Sequence, residues 1–203
     1  MASNPWLPQS DQAPDAPPRP ALLAPPSTGA RAPQPGIPVP DQVDQLPSLE
    51  HAAAAPLWWL GVHGGAGEWT LAQLVPQWRP ADHAWPLVVN NQAAARTVLV
   101  ARSSMRGLRA AQIAATQWAS GIVPHVTVLG LVVIADAPGR LPRPIRDLIK
   151  VVGGGVPRVW HLPWVESWRL GEDVSLETAP REVRKLVEDL RALLQAGAEG
   201  TTN

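Results

Sequence analysis

Residues 57–75 constrain this chain more than any other stretch. An apolar run, Leu57-Trp58-Trp59-Leu60-Gly61-Val62, leads into His63-Gly64-Gly65-Ala66-Gly67-Glu68-Trp69-Thr70, and a helix from Thr70 to about Trp78 follows, which Pro76 is expected to end early. Strand, glycine turn and helix in that order form an arrangement that wraps a phosphate. Glycines let backbone N–H groups point inward, and a helix amino end adds positive partial charge. The same glycines also serve a plain tight turn between a strand and a helix, so both readings stand at this point.

The chain beyond repeats the alternation. Arg96-Thr97-Val98-Leu99-Val100-Ala101 is short, β-branched and apolar, the pattern of a strand buried on both faces. Ser103 or Ser104 then caps a helix whose stripe is Leu108, Ala111, Ala115 and Trp118, closed by Gly121 and Pro124. Val126 to Ala135 is a third strand, and Asp136-Ala137-Pro138-Gly139 turns sharply after it. Pro142 and Pro144 suit the start of a helix with Ile145, Leu148, Ile149 and Val152 inside, and Gly153-Gly154-Gly155 stops it. Val156 to Leu162 is a fourth strand. Trp164 to Gly171 is a loop or helical turn, and Thr178-Ala179-Pro180 opens a last helix running through Gln195.

Strands alternating with helices imply an α/β fold in three layers, αβα, around a mostly parallel sheet. Ligands of such sheets sit beyond the carboxyl ends of the strands, at a topological switch point. The glycine turn, Arg102 and Asp136 each follow a predicted strand, so they are expected to share one edge.

Residues 1–56 differ in kind, holding 14 of the 24 prolines and few large apolar groups. Such a segment is expected to be a disordered arm with polyproline II tendency. Trp6-Leu7 and Leu22-Leu23 are small apolar islands in it, and Leu49 to Ala55 suits a short helix before Pro56. The expected organisation is an arm at 1–56, an α/β domain at 57–171 and a helix with a tail at 172–203.

Net charge is zero, but it is a balance of unlike parts. Residues 57–169 carry 11 basic and five acidic side chains, and both flanks are net acidic. A mildly basic core is compatible with an anionic ligand or a nucleic-acid partner. The chain has no cysteine, which excludes disulfides and thiol catalysis. The start shows no basic segment followed by an apolar core, and the longest apolar run, Val126 to Ala135, is too short to span a bilayer. A cytoplasmic protein is expected.

His63 to Thr70 resembles the deviant phosphate loop of ParA/MinD-type P-loop ATPases, which reads Lys-Gly-Gly-x-Gly-Lys-Ser/Thr-Thr. Gly64, Gly65, Gly67 and Thr70 agree with it. His63 stands at the signature lysine, Glu68 at the phosphate-gripping lysine and Trp69 at the magnesium-binding hydroxyl. Val98 to Arg102, Gly130 to Asp136 and Trp160-His161-Leu162-Pro163-Trp164 follow in the order of that family's later strands. The 25 residues between Thr70 and Arg96 leave its middle strands shortened or lost. The chain is also similar to an actinobacterial family of unknown function that reads His-Gly-Gly-Ala-Gly-Glu-Ser-Thr at this turn and shares Asp136-Ala137-Pro138-Gly139-Arg140-Leu141-Pro142-Arg143-Pro144. The resemblance implies a reduced P-loop fold in a mobile-element, DNA-partition or DNA-transfer setting.

The substitutions decide what that loop is expected to do. Lysine neutralises charge that builds up in phosphoryl transfer. A carboxylate about 4 Å from the same oxygens repels them by roughly 1 kcal/mol in water and about 4 kcal/mol at a partly buried site. Indole offers only a donor and holds no magnesium. The expected site is therefore a degenerate one: His63, Gly64, Gly65, Gly67, Glu68 and Thr70, with Arg102 and Asp136 behind it. ATP and Mg²⁺ are expected to bind weakly, and the protein to act as a scaffold or regulator through a protein partner or a homodimer. The alternative is an active ATP hydrolase in which protonated His63 supplies charge and Thr70 the metal hydroxyl.

Overall fold

The computed structural model describes residues 24–89, 91 and 93–199. The islands Trp6-Leu7 and Leu22-Leu23, two residues of the Asn90-Asn91-Gln92 turn and the last four residues of the tail lie outside the described residues. Seven strands are described: β1 (Ser48–His51), β2 (Trp58–Gly61), β3 (Arg79–Pro80), β4 (Trp85–Val88), β5 (Ala95–Arg102), β6 (Val126–Ile134) and β7 (Val159–Leu162). Five helices join them: α1 (Glu68–Ala72), α2 (Met105–Ala119), α3 (Arg143–Gly154), α4 (Glu166–Arg169) and α5 (Arg181–Glu199).

The main sheet has the order β3-β2-β5-β6-β7, and every pair in it is parallel. The expected α/β class and parallel sheet hold. Strand residues alternate between two cores. Trp58, Leu60, Leu99 and Ala101 pack with Leu108, Ala111 and Trp118 of α2 and with Ile145, Ile149 and Val152 of α3. Trp59, Val98, Val100 and Val132 face the other way, against Leu71 of α1 and Val183, Leu186, Val187 and Leu190 of α5. Helices thus cover both faces. Because α5 supplies one of those covers, residues 172–199 belong to the same domain rather than following it. Trp160 on β7 fastens α5 as well, since its indole N–H donates to Asp189 Oδ2 at 3.0 Å.

Three expectations are corrected. The first is the arm, which was expected to be disordered through residue 56. Of that arm, residues 1–23 lie outside the described residues, and residues 24–46 instead lie along α2 and α3. Thr28 N–H donates to the Pro157 carbonyl at 2.9 Å, Ala30 N–H to that of Gly154 at 3.1 Å and Gln34 N–H to that of Ala119 at 2.9 Å. The buried Gln117 amide closes a reciprocal pair with the backbone of Leu46, at 3.0 and 2.9 Å. Main-chain partners from distant helices thus replace the missing local order. The second is the helix at 49–55. Ser48–His51 pairs in parallel with Trp85–Val88, and the His51 ring packs on Trp58 at 4.2 Å between centroids. Tertiary pairing overrides local preference here. The third is the helix from Thr70 to Trp78. It spans only Glu68–Ala72, and single turns follow, from Leu74 N–H to Leu71 and from Trp78 N–H to Val75. Pro76 disfavours helical geometry at Val75.

Gly130 sits in mid-strand for a steric reason. The β5–β6 pairing skips Leu129, going from Thr97 opposite Val128 to Val98 opposite Gly130. A Cβ at Gly130 would lie 2.5 Å from the Trp160 ring and 2.6 Å from the Arg158 carbonyl oxygen. The backbone oxygen cannot swing aside. Gly130→Ala is expected to cost about 1–3 kcal/mol, read as a lower urea midpoint at unchanged slope.

Among the described residues, no helix is long and apolar enough to cross a membrane.

Candidate functional site

The strand order places the site. From β2 the chain moves outward to β3, then returns to β5 on the other flank of β2. The reversal falls between β2 and β5, and their carboxyl ends carry the glycine loop and Arg102. This is where a ligand crevice opens in a sheet of this type.

The loop itself runs from Val62 to Gly67. Val62 N–H still donates to the Val100 carbonyl at 3.0 Å, so the turn begins at the sheet edge. Gly65 and Gly67 take φ of 74° and 107°, backbone that favours glycine. Gly67 is the residue from which α1 departs.

The Glu68 carboxylate turns back toward the loop's own start. Its Oε2 accepts the Gly61 N–H at 2.6 Å. The His83 N–H also favours the ionised form, and the His83 ring bonds the Gly61 carbonyl through Nδ1. Asp82 and His83 both hold positive φ, at 53° and 60°, to bring this corner in. Half-burial nevertheless dominates and raises the Glu68 pKa above 4.5, against the pull of those two N–H groups. Glu68 is thus a staple that joins α1, β2 and the β3–β4 turn.

His63 is likewise engaged inward. Its Nε2 accepts the Arg102 N–H at 3.0 Å and its Nδ1 lies 2.9 Å from the Gly64 carbonyl. Both ring nitrogens are thus turned to the backbone of the loop and of β5. Trp69 points outward, 62% exposed. Thr70 lines the cavity beside Gly67.

Positive charge comes from elsewhere. Arg102 leaves the end of β5 and crosses the crevice, with Nε donating to the Gly65 carbonyl at 3.3 Å and Nη1 to that of Ala135 at 3.2 Å. Burial lowers its pKa; Asp136 works against that shift and Arg169 adds to it. Arg169 belongs to α4 and stands over the Trp164 ring at 6.0 Å, a cation–π distance. Two cavities flank Arg102. One, of about 210 Å³, is lined by Gly67, Thr70, Ile134, Trp164, Trp168 and Arg169 among others. The other, of about 200 Å³, is lined by His63, Gly64, Gly65, Ser104, Asp136, Trp164 and Arg169.

His63, Gly64, Gly65, Gly67, Thr70, Arg102 and Asp136 thus border this crevice, Glu68 braces the loop beside it, and Trp69 does neither. The backbone N–H of exposed Asp136 donates to buried Ser103 Oγ at 3.0 Å, while Ser104 Oγ caps α2 by accepting the Gly107 N–H at 3.1 Å. Sequence reasoning missed Arg169 as a site residue and His83 as the partner of Glu68. Arg169 had a signal, being a lone cation next to Trp168 after the closing strand. His83 had none, since 22 residues separate it from Gly61.

Fold and site together define a doubly wound parallel α/β domain with a glycine loop at its topological switch. Residues 55–187 match the model of a family of unknown function, DUF6668, and the chain belongs to that family. No curated protein and no solved structure matches the chain.

Proposed function

We propose that this domain is a degenerate relative of ParA/MinD-type P-loop ATPases, serving as a scaffold or regulatory partner with weak or no nucleotide hydrolysis. One observation carries the reading: the Glu68 carboxylate is bonded to Gly61 N–H at 2.6 Å, so the loop's own charged side chain serves structure. A hydrolytic phosphate loop needs a cation there to meet charge developing on the transferred phosphoryl. Trp69, turned to solvent, gives magnesium no hydroxyl. The setting, a protein partner or homodimer near mobile DNA, follows from the resemblance.

A nucleic-acid partner has one observation in its favour. Arg106 and Arg109 on α2, and Arg140, Arg143, Arg146 and Lys150 at or on α3, are all exposed. The active-hydrolase alternative keeps Thr70, which lines the crevice, while both ring nitrogens of His63 face backbone.

Purified protein given ATP and Mg²⁺ is expected to release phosphate no faster than buffer. Turnover that Thr70→Val abolishes would establish the hydrolase instead.

A further inference from the structure

The crevice lacks a loop lysine, yet it is not short of positive charge. Arg102 and Arg169 both border each of the two cavities, and Asp136 is the one carboxylate among the lining residues. Neither arginine has an ion-pair partner among the described residues. Arg102 is half-buried and fixed by two backbone carbonyls through Nε and Nη1. Its Nη2 lies on the Gly67 side, 3.8 Å from where a Gly67 Cβ would stand, and makes no bond among the described residues. A guanidinium carries five N–H donors in a fixed fork, so donors remain for a ligand.

We propose that the two adjoining cavities bind a phosphate-bearing small molecule, with the Arg102 and Arg169 guanidiniums as its counter-charges and no divalent metal. The proposal rests on the reading that this site has kept an anion crevice while losing hydrolysis. Guanidinium pairs phosphate oxygens two at a time, in charge-assisted bonds about twice as strong as neutral ones. Two such groups supply what a lysine and a magnesium ion would otherwise bring, and they repel a free divalent cation. Each cavity alone is smaller than the ~300–1,000 Å³ of a drug-sized ligand site. Sharing Arg102, Trp164 and Arg169, the two together reach that size. The Trp164 and Trp168 indoles offer apolar wall to the part of the ligand beyond its phosphate. The Asp136 carboxylate opposes the anion and moderates its affinity.

The test is thermal unfolding and calorimetry of the full chain with inorganic phosphate, ADP or ATP, each in EDTA and in Mg²⁺, with phosphate release followed in the same samples. A bound ligand raises the unfolding temperature in proportion to its occupancy of the folded state. At least one of the three is expected to stabilise in EDTA, and Mg²⁺ is expected to weaken the effect. A response to phosphate alone identifies the phosphate group as the whole ligand, and a response only to ADP or ATP identifies a nucleotide. Both outcomes support the proposal.

Arg169→Ala removes an exposed side chain, so the ligand-free unfolding temperature should stand while affinity falls about tenfold. Asp136→Asn should tighten binding. Stabilisation that requires Mg²⁺, no stabilisation by any of the three, or an Arg169→Ala protein that binds as well as its parent would each overturn the proposal. Binding accompanied by turnover would overturn the non-hydrolytic reading and leave this one in place.

Discussion

Glu68→Lys, which would supply the lysine that the proposed P-loop kinship puts at this position, is expected to destabilise the protein and to confer no ATP turnover. The carboxylate at that position accepts N–H from Gly61 and faces that of His83. Lysine has no acceptor, so the buried Gly61 N–H loses its partner. Each unsatisfied buried group costs about 1–3 kcal/mol, a large share of the ~5–15 kcal/mol that holds a typical domain folded. The Glu68 side chain also fills the space over Gly61, where even a Cβ would come within 2.9 Å of its Cδ.

Glu68→Gln separates the bond from the charge. Its amide oxygen still accepts from Gly61, and there is no carboxylate to desolvate. The sign of the pH effect follows from the raised pKa. The folded chain binds the Glu68 proton more tightly than the unfolded chain does. The stabilisation linked to that proton is complete below pH 4.5 and is lost as pH rises through the higher folded value. Urea unfolding from pH 4.5 upward is thus expected to show the parent protein losing stability relative to Glu68→Gln. A flat difference between the two would remove the staple from this account. So would a Glu68→Lys protein as stable as its parent.

The second large effect is expected at Trp59. This side chain is fully buried on β2 and meets Trp78 edge-on, with ring centroids 5.7 Å apart. It stands two residues before Gly61, so it fixes the strand that delivers the glycine loop. Trp59→Ala leaves a cavity that its neighbours fill only in part, at about 3–5 kcal/mol. Trp59→Phe keeps a ring against Trp78 and is expected to lose much less. The chain has neither Phe nor Tyr, so no other aromatic residue type is present to repack the site. Denaturant midpoints of the two variants compare directly, and equal midpoints would contradict the packing described.

What the residues disclosed follows from where their partners lie. β5, β6, α2 and α3 are legible because their burial is written locally, in apolar runs and helical stripes. So is the glycine loop, whose flanks announce strand and helix. β1 is not, and of β3 and β4 the residues say only that 79–86 is a loop or a short edge strand. Arg79–Pro80 is two residues long and owes its place to Arg79 N–H meeting the Leu57 carbonyl at 3.0 Å. Ser48–His51 carries a charge and no apolar alternation, and becomes a strand only beside Trp85–Val88. The proline-rich composition of residues 24–56 reads as disorder because their acceptors are carbonyls of α2, α3 and the turn after α3. At the site, positions 63, 68 and 69 lack the lysines and hydroxyl of the loop they resemble. Glu68 was read as a charge opposing phosphate, whereas in the fold it faces the backbone of Gly61. Arg169, more than a hundred residues from the loop, reaches it only through the order of the strands.

The strap at residues 24–46 also sets a timetable for synthesis. It is made before its partners, for Ser27 hydrogen-bonds to Pro157, 130 residues further along. Such distant closure must wait until the later segment exists, and it comes with the slow kinetics of contacts far apart in sequence. The contacts at Gly154 and Pro157 therefore close only once α3 has been made, after those the same segment makes with α2.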